Sequence, residues 1–95
     1  MRPPRPADFT AEVTLLPTEA GGRQGPLVQG EWRAVLGVDD VNWSALMMFD
    51  GAPGPGETFD VEIWLLLPSE ALVMFPAETE FTVWDGGTKG LGRVL

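Results

Sequence analysis

Histidine, cysteine and tyrosine are all absent from this 95-residue sequence. Without cysteine there can be no disulfide, no thiolate nucleophile and no thiolate metal ligand. Histidine is the side chain most used for proton transfer near neutral pH and for binding transition metals. Because the three residue types are missing together, most general bases, nucleophiles and zinc ligands are missing too. We therefore expect no enzyme, no cofactor and no metal site.

Positive charge is also scarce. Six lysines and arginines stand against fourteen acids, which gives a net charge of −8 at pH 7. Nucleic acids are bound mainly by cations that neutralise phosphates, so this balance disfavours an RNA or DNA partner. No apolar run approaches the roughly 18 residues of a membrane helix, and no apolar stretch of the signal-peptide kind follows Met1–Pro6. These absences predict a cytoplasmic protein with no membrane contact.

Glycine and proline are abundant, with twelve and nine residues spread along the chain. Together with a hydrophobic content of 44%, they are typical of a globular protein with many short strands and turns. The prolines of Met1–Ala7 predict a flexible tail, and one folded domain is expected over residues 8–95. Within the tail, Pro3-Pro4-Arg5-Pro6 fits the PxxP pattern of polyproline ligands, which also recurs often by chance.

Alternation of apolar and polar residues predicts the strands. In the clearest one, Phe59–Leu67, the odd-numbered positions share one apolar face, while Trp64 and Leu66 fall on the other. Further strands are predicted over residues 9–16, 32–38, 43–48 and 81–84. A glycine-rich turn over 86–92 is expected to lead into a last strand at 93–95.

Shared parity within each strand also predicts the core. Antiparallel strands in so small a chain would close into a barrel, because closure removes exposed strand edges. The expected fold is therefore all-β, a small closed antiparallel β-barrel of about six strands. The predicted core residues are Val13, Leu15, Leu36, Phe59, Val61, Ile63, Leu65, Phe81 and Val83.

Four short motifs lie between these strands in a fixed order. They are Glu19-Ala20-Gly21-Gly22-Arg23, Asp39-Asp40-Val41, Pro55-Gly56-Glu57 and Asp85-Gly86-Gly87-Thr88-Lys89-Gly90-Leu91-Gly92. In this order they resemble the third, C-terminal β-barrel domain of translation elongation factor Tu, over about Asp8 to Leu95. The resemblance implies a barrel of that type and a role in translation. In the family, the Gly-Gly-Arg segment introduces a loop near the surface that meets the GTPase domain and transfer RNA.

The sequence departs from the family pattern where the family binds RNA. Thr88 stands in place of an arginine in the last glycine-rich stretch, and the family's His-Thr after Gly-Gly-Arg is replaced by Gln24-Gly25. Two hypotheses follow. The first is a non-catalytic protein-interaction module, whose partner is a GTPase, another translation component or a second copy of the chain. The second is a translation-factor fragment that binds transfer RNA or the ribosome, which the net charge disfavours.

Several residues are candidates for partner binding because their side chains are expected on the outside. Trp64, Leu66 and Trp84 lie opposite the core parity, and exposed aromatic residues often mark an interface. If the apolar run Leu72–Phe75 is a strand, two of its side chains face outward. The alternatives are that loops or the tail cover the tryptophans, and that the run folds over a barrel end. The complete candidate set is Arg23, Arg33, Trp64, Leu66, Val73, Phe75, Trp84 and Lys89.

Overall fold

Six antiparallel strands form one closed barrel, as the sequence predicts. The computed structural model describes residues 2–27 and 30–95, so Met1 of the tail and Val28 and Gln29 of the loop after the first strand lie outside the described residues. Around the barrel the strands run β1, β4, β3, β2, β5 and β6, and β6 pairs with β1 to close it. The bounds are β1 Phe9–Leu15, β2 Glu31–Val38, β3 Val41–Met48, β4 Thr58–Leu65, β5 Glu80–Trp84 and β6 Thr88–Val94.

The interior is filled by the side chains that share the predicted parity. All the predicted core residues are buried except Phe59, which is half-buried and packs against the core. The register keeps inward residues opposite one another, as in the pairs Ala11 with Val61 and Leu36 with Val83. Alternation along each strand therefore places apolar side chains inside the barrel and the remaining side chains on its outer surface.

Residues 68–75 form a plug at one end of the barrel rather than a strand. They fold as a short helix, α1 (Pro68–Ala71), followed by a 3₁₀ turn over Leu72–Met74. Phe75, at the end of the plug, is only 3% exposed. Its ring stacks on Phe9 with centroids 5.0 Å apart and meets Phe81 edge-on at 5.8 Å. None of the helices in the described part of the chain has the length and apolar character needed to span a membrane.

The last strand is longer than the sequence predicts. A turn was expected over residues 86–92, but β6 begins at Thr88 and includes Gly90 and Gly92. Both glycines are buried, and Gly92 pairs with Phe81. A Cβ atom on Gly92 would lie 2.3 Å from Cζ of Phe81, so the aromatic ring occupies the space of the missing side chain. The expectation of a long turn is therefore wrong. Both glycines lie inside a strand, where the missing side chain leaves room for neighbouring residues to pack.

Candidate functional site

One side of the barrel exterior is polar, as a solvent-facing surface usually is. Glu12 of β1 lies opposite Asp60 of β4, and Thr14 lies opposite Thr58. The hydroxyl groups of the two threonines are 2.8 Å apart and share a hydrogen bond. On β6, Arg93 forms an ion pair with Glu78 at 2.8 Å and contacts Glu12 at 3.7 Å. This side therefore presents polar side chains and charges of both signs to the solvent.

The opposite side of the exterior is apolar across four neighbouring strands. Val35 of β2 lies directly opposite Trp84 of β5, and Leu46 of β3 lies opposite Trp64 of β4. Arg33 of β2 lies on the other side of Leu46. Directly opposed residues on adjacent strands have Cβ atoms about 5 Å apart, so these side chains are neighbours on one surface. The register therefore builds a mainly apolar outward-facing row, in which Ser44 lies opposite Val35 and Arg33 lies opposite Leu46.

This row forms the floor of a groove with a volume of about 480 Å³, called here the Trp84 groove. Two of its large apolar side chains are open to solvent: Trp84 is 49% exposed and Leu66 is 70% exposed. Tryptophan and leucine at this exposure are costly in water and favourable in an interface. The defining residues are Pro3, Arg5, Arg33, Val35, Leu46, Trp64, Leu66, Trp84 and Asp85.

The N-terminal tail forms one wall of the groove by lying over Trp64. The indole nitrogen of Trp64 donates a hydrogen bond to the carbonyl oxygen of Arg5 at 2.8 Å. The guanidinium of Arg5 donates to the carbonyl oxygen of Leu65 at 3.0 Å, and that of Arg2 lies 5.5 Å from the centre of the indole ring. Trp64 points outward but is only 4% exposed. The expectation of an exposed Trp64 is therefore wrong, and cover by the tail explains it.

Asp8 anchors the tail to the end of β4. Its carboxylate accepts a hydrogen bond from the backbone N–H of Leu65 at 2.7 Å and pairs with the guanidinium of Arg5 at 2.6 Å. Its own backbone N–H donates to the carbonyl oxygen of Ile63 at 2.8 Å. Charged hydrogen bonds of this kind are stronger than neutral ones. The tail therefore enters the barrel at a fixed place beside the groove.

Asp85 closes the end of the groove at the turn after β5. One of its carboxylate oxygens accepts a hydrogen bond from the indole N–H of Trp32 at 2.9 Å. Trp32 is buried at the start of β2, so its only polar atom depends on this partner. The guanidinium of Arg23 lies 5.8 Å from the centre of the Trp32 ring. Asp85 thus joins β5 to β2 at the point where Trp84 meets the solvent.

Arg33 differs from every other cation in the part of the chain that the structure describes. Its side chain is exposed on the outer face of β2 and, among those residues, it has no ion pair or side-chain hydrogen bond. Each of the other cations reaches an acceptor. The pairs are Arg2 with Glu62, Arg5 with Asp8, Arg23 with the Gly25 carbonyl, Lys89 with the Gly21 carbonyl, and Arg93 with Glu78.

Four of the eight candidate residues come together at the groove: Arg33, Trp64, Leu66 and Trp84. The other four lie elsewhere. Arg23 belongs to the loop that holds the first glycine doublet, where Thr18 donates to its carbonyl oxygen. Lys89 lies in β6, and its side chain reaches that loop by donating to the Gly21 carbonyl. Val73 is 81% exposed on the plug, whereas Phe75 is buried, so the outward position expected for Phe75 is wrong.

Sequence reasoning missed part of the groove. Val35 and Leu46 occupy outward positions of their strands, and the alternation that located Trp64 could have located them too. No local sequence pattern predicts that Pro3, Arg5 and Asp85 line the groove. Their contributions depend on where the tail and the turn after β5 lie relative to distant strands.

Comparison with protein families and curated proteins gives no relative from which a role could be transferred. No protein-family model matches the chain, and no curated protein is significantly similar to it. The groove and its side chains therefore have to support a function by their own chemistry.

Proposed function

We propose that this chain is a non-catalytic protein-binding module and that the Trp84 groove receives an extended segment of its partner. One observation carries the proposal: Trp84 and Leu66 are exposed in a groove that Val35 and Leu46 also line, on a small protein with a net charge of −8. Tryptophan is enriched at protein interfaces relative to the rest of the surface. Trp84 is half-exposed in this groove, and tryptophan is among the residues most often found as interface hot spots.

The resemblance to the third domain of elongation factor Tu supports a partner among translation components, a GTPase included. Transfer RNA is the weaker candidate. Ion pairs or carbonyl contacts already engage the cations other than Arg33 in the described residues, and a phosphate backbone needs several free cations. The polar side of the barrel also carries Glu12, Asp60 and Glu62, which would repel it.

A selection from a displayed library of random peptides on the full chain tests the proposal. Peptides of about ten residues reach roughly 33 Å when extended, which covers the 29 Å width of the protein. We expect selected peptides to bind Trp84→Ser about thirtyfold more weakly than the wild type, the loss of a hot spot worth about 2 kcal/mol. Leu66→Ser should weaken binding as well.

Leu91→Ser is the matched control. Leu91 is 50% exposed, as Trp84 is, and it faces outward on β6 away from the groove. Peptides that bind the wild type and Trp84→Ser equally, or that lose affinity for Leu91→Ser instead, would contradict the proposal. So would transfer RNA that binds the chain and is released by Trp84→Ser.

A further inference from the structure

We infer that the partner segment carries a carboxylate, from an aspartate or glutamate, which pairs with Arg33 while neighbouring apolar side chains of the segment pack on Trp84 and Val35. This inference rests on the proposed function and specifies the chemistry of the partner. It concerns the one charged side chain of the groove that the structure leaves without an acceptor among the described residues.

Arg33 lies beside apolar side chains of the groove. Its backbone lies between β3 and the end of β5, and its side chain projects on the same outer face as Val35, two residues further along β2. Leu46 lies opposite it. Arg33 is exposed in the free chain, and its interaction with a counter-ion becomes stronger once a bound segment excludes water, because the local dielectric constant is then lower.

The supply of acids makes the free state of Arg33 informative. The chain has fourteen acidic residues for six cations, so intramolecular acceptors are plentiful. Carboxylates engage the side chains of Arg2, Arg5 and Arg93. Asp85 lines the same groove but is engaged by the indole of Trp32. Among the residues that the structure describes, the guanidinium without an acceptor is the one in the groove.

The shape of the guanidinium favours a carboxylate or a phosphate, since its planar fork can donate two parallel hydrogen bonds to either group. The number of free cations decides between them. A nucleic-acid backbone presents a phosphate every few ångströms and is held by several cations, whereas a single aspartate or glutamate needs only one.

Two further measurements test the inference on peptides selected with the wild-type chain. The first is composition: peptides that depend on Trp84 should be enriched in aspartate or glutamate. The second is a double-mutant cycle between Arg33→Gln and an acidic peptide whose carboxylate is replaced by the amide. We expect each single change to weaken binding about tenfold and the combination to cost little more than either alone, because both changes remove the same ion pair.

Lys89→Gln is the control for net charge. It changes the total charge by the same amount as Arg33→Gln, yet the Lys89 side chain contacts the Gly21 carbonyl and lies outside the groove. It should leave the affinity unchanged. Arg33→Lys keeps the charge but not the planar fork and should recover only part of the binding. Thermal melts identify any variant whose effect comes from unfolding.

The outcomes separate this inference from the function on which it rests. The inferred carboxylate is wrong if Trp84-dependent peptides are not enriched in acids, or if Arg33→Gln weakens binding of the acidic and amide peptides equally. In either case the proposal that the groove binds a partner segment is unaffected. If no peptide depends on Trp84, the proposed function fails and the inference fails with it. If transfer RNA binds and Arg33→Gln releases it, the partner group is a phosphate.

Discussion

Trp64 and Arg5 are joined by a hydrogen bond from the indole N–H to the backbone carbonyl, 2.8 Å long, across 59 residues of sequence. This contact gives an outward-facing tryptophan a cover made of the chain's own tail. An uncovered indole beside Leu66 and Trp84 would extend the apolar surface across the end of β4. The tail limits that surface to the groove and supplies one of its walls.

Removal of the indole N–H should loosen the tail. In Trp64→Phe the ring still packs against the barrel, but the Arg5 carbonyl loses its donor, which we expect to weaken docking of the tail by about 1 kcal/mol. The backbone N–H groups of Arg5 and Ala7 should then show lower heteronuclear NOE values, because both report fast motion of the tail.

Trp84→Phe is the control for that experiment, because Trp84 lies across the groove and has no hydrogen bond to the tail among the described residues. Its tail should remain as rigid as in the wild type. Unchanged NOE values at Arg5 and Ala7 in Trp64→Phe would show that the hydrogen bond does not hold the tail.

A side chain at Gly92 should destabilise the barrel. In Gly92→Ala the new Cβ would lie 2.3 Å from the Phe81 ring, so the ring has to move within a closed core. Overpacking of this kind costs about 1–3 kcal/mol of unfolding free energy. Chemical denaturation of the variant measures it.

Two comparisons isolate the clash. Gly25→Ala adds a methyl group where no atom lies within 4 Å and should change stability little. Phe81→Leu shortens the ring side chain, so Gly92→Ala should cost less in that background than in the wild type. An equal cost in both backgrounds would mean that Phe81 is not the residue that excludes a side chain at position 92.

The plug should respond to substitution according to burial. Phe75→Ala removes a ring that packs against Phe9 and Phe81, and we expect it to lower the unfolding free energy by about 3–5 kcal/mol. Val73→Ala, on the exposed outer side of the same plug, should change it by less than about 0.5 kcal/mol. Thermal melts of the two variants check this, and comparable losses would place Val73 in the core.

Transfer RNA should not bind at low salt. Contacts between cations and phosphates are strongest at low salt, so an electrophoretic mobility shift there is the most demanding measurement of whether a net charge of −8 prevents binding. We expect no shifted band. A band that disappears with added salt would instead reveal phosphate contacts, whose number follows from the salt dependence.

Much of the barrel could be predicted because its strands alternate clearly. The predicted strand at Phe59–Leu67 was only two residues too long, since Pro68 begins α1 after Leu65 closes the ladder. The glycines of β6 misled the prediction, because Gly90 and Gly92 resemble turn residues in sequence. These positions require glycine because of residues on neighbouring strands: the Phe81 ring lies within contact distance of Gly92, and the backbone of Thr14 lies within contact distance of Gly90.

For the groove, the sequence alone determined that Trp84, Leu66 and Arg33 face outward, because side-chain direction along a strand depends only on position within that strand. It could not determine which outward side chains meet. That depends on the register that sets Val35 opposite Trp84 and Leu46 opposite Trp64. It also could not show that the tail covers Trp64 and leaves Trp84 open, because that cover is made by contacts between residues far apart in the chain.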